Sequence, residues 1–275
     1  MLRISVYLKA TTLMLIGGLA IAGCDRVNDV GKTAAVDEVV EDAVVTEDGF
    51  APGEDIPRID ETVTTVVERS GDPATDDAAY LAHIGMMRGH LIAFIELYRE
   101  GELEMAAVHA KHPGSELYQE LVPAIEARGL NGFANELVAL GDAVSGGGDV
   151  EAAYTLTQTA ITGATPIPTT KIVLYAVSDV MHEAAKEYEL AVNDAGEIVN
   201  AHEYQDAYGF LAAARELVAE LQTDDIQQSD AINFAYEQID VAVAQTGSLL
   251  ADASDGDAET IAGAASLVER IANRL

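Results

Sequence analysis

The sequence predicts an all-α protein, an antiparallel helical bundle behind a disordered N-terminal tether. Apolar residues recur at helical spacing from residue 76 onward, Gly and Pro break that pattern at short intervals, and β-branched alternation of useful length is absent.

The first segment, 1–23, has the layout of a secretory signal. Arg3 and Lys9 precede an apolar run from Ala10 to Ala22, which is short for a permanent membrane span. It ends in Leu19-Ala20-Ile21-Ala22-Gly23-Cys24, which resembles the bacterial lipobox. The resemblance implies cleavage before Cys24, lipid on its sulfur, attachment to a membrane and an extracytoplasmic, periplasmic location. Asp25 at the next position implies inner-membrane retention, by similarity to enteric lipoproteins. Cys24 is the single cysteine of the chain. Once acylated, it leaves no thiol for a disulfide, a thiolate nucleophile or a Cys-based metal site.

Residues 24–75 are acidic, rich in Val and Thr, and interrupted by Pro52, Pro57 and Pro73. This composition reads as a flexible linker, with room for one short element around Ile59 to Val67. A flexible chain of that length has an end-to-end distance on the order of 40 Å. The helical remainder divides at Pro166 and Pro168 into two subdomains, 76–165 and 166–275.

The expected helices run over 76–100, 102–112, 115–128, 131–144 and 149–161 in the first subdomain, then 170–192, 201–221, 225–251 and 257–274. Gly101 stops the first and Pro113 the second. Asn200 with Glu203 resembles a capping box at the start of the seventh. The short gaps fit antiparallel neighbours.

The formal charge of -32, or -34 without Arg3 and Lys9, repels nucleic-acid phosphates and anionic headgroups, so no nucleic-acid partner is expected. Most of the carboxylates are solvated and keep the protein soluble. With no serine in a Gly-x-Ser-x-Gly elbow, and with Cys24 committed, nucleophilic hydrolysis has no visible support and a non-catalytic role is expected.

Histidine carries the positive signal. On the first helix His83 and His90 fall in the apolar sector of Ile84, Met87, Leu91 and Phe94. On the second, Met105, His109 and His112 share a side. Gly101 folds the two helices against each other, so His83, His90, His109 and His112 can converge on a transition metal, with Met87, Met105, Glu96 or Glu116 as further ligands. Imidazole suits iron, copper, zinc or a haem iron. The competing reading makes these histidines satisfied core and surface residues of a structural or protein-interaction lipoprotein that docks a membrane complex. His182 lies on a polar side beside Lys186, and neither it nor His202 is expected at the site. Glu203 points inward with Phe210, Ala214 and Leu217 and forms a candidate second, weaker metal site.

One stretch carries a family resemblance. Lys186-Glu-Tyr188-Glu-Leu-Ala191-Val192, then Gly196-Glu-Ile198-Val199-Asn200-Ala201, then Glu203-Tyr204-Gln205 and Phe210 resemble a helix-loop-helix in the periplasmic extension of bacterial high-affinity iron permeases. The resemblance covers 186–210. It implies a periplasmic helical module concerned with iron, an iron permease or another membrane complex as partner, and Glu187, Glu203 and Tyr204 as the matching polar positions. The general plan is also similar to imelysin-like lipoproteins, but the Gly-x-His-x-x-Glu signature fails: Arg88-Gly89-His90 is followed by Ala93 where glutamate belongs.

Overall fold

The computed structural model describes residues 69–275, with Ser115 and Glu116 by backbone alone. The signal sequence, Cys24 and the linker as far as residue 68 lie outside these residues. The described part is α-helical throughout, with two isolated β-bridges, Val192 to Ile198 and Glu197 to Ala253.

Helix α1 (Asp77–Glu100) begins where the Asp76 carboxylate accepts the amides of Ala78 and Ala79. It ends at Gly101, whose φ of 88° is the left-handed conformation that favours glycine. That turn sends α2 (Leu103–His109) back along α1. Residues 69–75 lie within the expected linker, yet Arg69 pairs with Asp179 at 2.6 Å and fastens this stretch to the bundle.

Pro113 opens a π-helical turn, Pro113–Leu117, rather than a plain stop, because proline needs no amide partner at a helix start. Then follow α3 (Tyr118–Ala127), α4 (Ala134–Gly146), α5 (Val150–Gly163), α6 (Thr170–Ala191), α7 (Ala201–Ala219), α8 (Ile226–Val243) and α9 (Ala258–Ala272). The expected helix over 225–251 stops early. The Thr246 hydroxyl donates to the Val243 carbonyl, the chain turns at Gly247 with φ 60°, and the return segment reaches Glu197 through Ala253. The expected capping box is absent as well: Asn200 makes no side-chain bond to the helix backbone, and its amide donates to Glu203 at 3.3 Å instead.

The two expected halves have their own apolar clusters, but α1 serves both. Ala78, Leu81 and Ala82 join the core of α6 to α9, whereas Tyr80, Ile84, Met87, Leu91, Phe94 and Leu97 join that of α2 to α5. A helix apolar on nearly every side must be enclosed, and α1, long and apolar enough to span a membrane, is buried almost completely.

α1 and α7 approach each other closely. A Cβ placed on Gly209 would stand 2.3 Å from the Gly89 carbonyl oxygen, and one on Gly89 would stand 2.9 Å from the Gly209 carbonyl carbon. Glycine at both positions lets the backbones touch.

Gly209→Ala is expected to cost about 1–3 kcal/mol, as overpacking against backbone does, measured by denaturant unfolding. Asp76→Ala should cost about 1 kcal/mol through loss of the cap. Burial opposes the Asp76 charge, but the backbone hydrogen bonds from Ala79, Gly71 and Ala78 and the Arg69 charge hold its carboxyl below 3.8. Its contribution is therefore present above that value and fades as pH falls through the lower native one, so wild type and Asp76→Ala should converge in stability in strong acid.

Candidate metal centre

Asp206 on α7 is a carboxylate 2 % exposed, in a sector otherwise occupied by Phe210, Ala214 and Leu217. Burying a charge is costly unless it is paired, and this one is surrounded by imidazoles. His90 Nδ1 lies 2.5 Å from Asp206 Oδ1, and His109 Nδ1 lies 3.0 Å from the same oxygen. His202 Nδ1, one turn before Asp206 on α7, is 3.6 Å from Oδ2. Burial works against the carboxylate, but the hydrogen bonds from His109 and His90, and the charge attraction that accompanies them, hold its carboxyl well below the usual range.

Each histidine arrives by a different local device. His90 follows Gly89, so the helix crossing delivers it to α7. His109 ends α2, which Gly101 has turned back along α1, and its Nε2 sits 2.9 Å from Gln205 Oε1. Both ring nitrogens of His109 thus lie within hydrogen-bond distance of an oxygen, one of Asp206 and one of Gln205. The Gln205 amide in turn donates to Met105 Sδ at 3.2 Å. His112 stands at the start of the π-helical turn, its ring 5.3 Å from that of His90 and 4.4 Å from that of His202. The rings of His109 and His202 stack at 4.5 Å with 21° between planes, and Phe210 packs near-perpendicular to His90 with centroids 4.9 Å apart.

Two groups here could hold a metal ion: His90 with His109 and Asp206, all buried, and His112 with His202 and Asp206, half-buried at the histidines. Within each group the donor atoms lie within 4.8 Å of one another.

Of the five expected metal residues, the structure brings His90, His109 and His112 together. His83 stands apart: its Nδ1 is 2.9 Å from the Ala79 carbonyl and its Nε2 3.4 Å from Glu120. Seven residues along a helix keep a face but advance about 10 Å, too far for His83 and His90 to share one ion. Glu203 does not form a separate second site. Its carboxylate lies 3.6 Å from His202 Nδ1, beside the main cluster.

His202 belongs to the cluster, against expectation, and Asp206 was missed. The signal for both is the four-residue spacing on one helix face, together with the position of Asp206 one turn before Phe210 in an inward sector. Met87 is core, Glu96 accepts a hydrogen bond from Tyr208, and Tyr204 is buried with its ring 6.0 Å from that of Tyr188. His182 lines a separate cavity of about 840 Å³ with Lys186, Glu189, Asp194 and Asp257, which includes none of the four clustered histidines.

A third carboxylate adjoins the cluster. Burial, then the hydrogen bond to Glu203 and the charges of Glu203 and Asp206, push Glu187 on α6 up to about 8. At neutral pH Glu187 keeps a proton and hydrogen-bonds Glu203, because three negative charges do not fit in so small a volume without a cation.

Residues 166–274 match the family model of the iron permease-associated 4-helix bundle domain. The match takes in α6 to α9 and so includes Glu187, His202, Glu203, Gln205 and Asp206. The other three histidines come from α1 and the segment after it, outside the matched residues. Comparison with curated proteins gives no match, and neither does comparison with solved structures.

Asp206→Ala should remove about 2–3 kcal/mol of stability in chelator at pH 7, because His90 and His109 each lose a buried acceptor. Since the carboxyl is held low in the folded state, this contribution is complete at neutral pH and is lost only as pH falls far into acid, which a series of denaturant melts would display.

Proposed function

We propose that this protein is a non-catalytic, transition-metal-binding helical lipoprotein, anchored through Cys24 on the extracytoplasmic side of a membrane, that supplies iron to or receives it from a permease. The observation that carries the reading is the buried constellation of His90, His109 and Asp206, flanked by His112 and His202, where the 4-helix bundle meets the helices that precede it. A carboxylate among imidazoles, with no thiolate, suits iron or zinc better than reduced copper. Met105, the available thioether, is engaged with Gln205, which weakens the copper alternative further.

Four rings packed with neighbouring centroids 4.4 to 6.3 Å apart suit ions better than a haem macrocycle. The description of the matched domain then favours iron among the remaining metals and an iron permease as the partner. A lipid on Cys24 would keep the domain near such a permease, and the acidic surface would concentrate cations around it.

His90→Ala combined with His109→Ala is expected to weaken the tightest ferrous binding at least 100-fold in anaerobic titration, with circular dichroism still helical, whereas His182→Ala should bind as wild type. Affinity should also fall as pH is lowered, since protons compete for the same imidazole nitrogens. Unchanged binding by the double variant would place the iron elsewhere.

A further inference from the structure

The four histidines do not fit one ion. A metal bound to an imidazole lies in the plane of the ring, at roughly 2.0–2.1 Å from the donor nitrogen. His109 and His202 are stacked, with centroids 4.5 Å apart and planes inclined by only 21°. Lone pairs in two such planes run alongside each other and do not meet at a common point that close to both rings. These two histidines therefore belong to different ions.

The remaining donors divide in the same way. His90 and His109 approach Oδ1 of Asp206, and His202 faces Oδ2. The donor atoms fall into two triads that share Asp206 alone. On the His202 side a further carboxylate, Glu203, lies 3.6 Å from Nδ1, the same nitrogen that faces Asp206 Oδ2.

We infer that the cluster is a two-ion centre bridged by Asp206: His90 and His109 hold one divalent transition metal against Oδ1, and His112 and His202, with Glu203, hold a second against Oδ2. This deepens the metal-binding reading above and rests on it. A bridging carboxylate sets two ions about 3.5–4 Å apart, close enough for magnetic exchange. The two positions differ in access. The first is enclosed by fully buried side chains, whereas the second has half-buried histidines, so the second ion is the one nearer to solvent and exchanges first.

Cobalt(II) is a suitable probe, being divalent, paramagnetic and stable in air with N/O ligands. The metal-free full-length chain is titrated by calorimetry, the retained cobalt is counted by elemental analysis after desalting, and electron paramagnetic resonance is recorded at each addition. Wild type is expected to retain two equivalents, with the signal of the first ion attenuated as the second enters. His112→Ala with His202→Ala should retain one equivalent and an unattenuated signal, and should remain helical by circular dichroism.

One equivalent in wild type, dependent on all four histidines, would overturn the two-ion centre and leave the metal-binding reading standing. No retained cobalt, together with no ferrous binding, would overturn both. Two equivalents without attenuation would also overturn the bridge, since the ions would then occupy unconnected sites. Should the double variant fail to fold, stoichiometry and coupling in wild type decide the matter alone.

Discussion

Where α1 crosses α7 the backbones are in contact at Gly89 and Gly209, and the cluster of His90, His109 and Asp206 follows from that contact. Any side chain at either glycine would collide with the opposing main chain, at 2.3 Å in one case and 2.9 Å in the other. With the crossing closed, the residue after Gly89 is carried to the carboxylate one turn before Phe210, so His90 meets Asp206. The same helix ties the two apolar cores together, because α1 contributes residues to both. A small-residue crossing of this kind makes position sensitive to a single methyl group. Such sensitivity is useful for a centre whose donor atoms must be held to a fraction of an ångström.

The helices were legible because each has its punctuation in the chain: Asp76 and Gly101 around the first, two prolines before the sixth, Asp257 before the ninth. The places where boundaries moved are those where the decisive partner is remote. The eighth helix ends at Val243 because the following segment is drawn to Glu197, about fifty residues away in sequence, and nothing local announces it. The side-chain pairing of Asn200 with Glu203 likewise reflects the acidic neighbourhood of Glu203, which forms only when α6 and α7 are packed.

At the site, facing was legible and depth was not. A helical wheel places His83 and His90 on one stripe, but it discards the axial coordinate, which separates them by two turns. His109 and His112 were readable as a pair with His90 because Gly101 makes a local hairpin. His202 and Asp206 required knowing which helix lies across from that hairpin, and the wheel of α7 alone offered Glu203 as the more conspicuous inward carboxylate. An acid in an apolar sector is a stronger signal when a histidine stands four residues before it, since the pair can share a proton or a metal.

The centre joins positions of very different separation along the chain. His90, His109 and His112 lie on a single hairpin and become neighbours as soon as it closes, whereas the contacts of His90 and His109 with Asp206 span 116 and 97 residues. Contacts of that range close late, after the loop entropy of the whole intervening chain has been spent. A half-folded molecule thus presents three imidazoles without the buried carboxylate. An ion held by the complete set would act as a clasp between that hairpin and α7, adding stability that grows with the logarithm of its free concentration over its dissociation constant. With such an ion the fold would become a gauge of metal supply: firmer when the ion is plentiful, looser at the α1 to α7 seam when it is scarce.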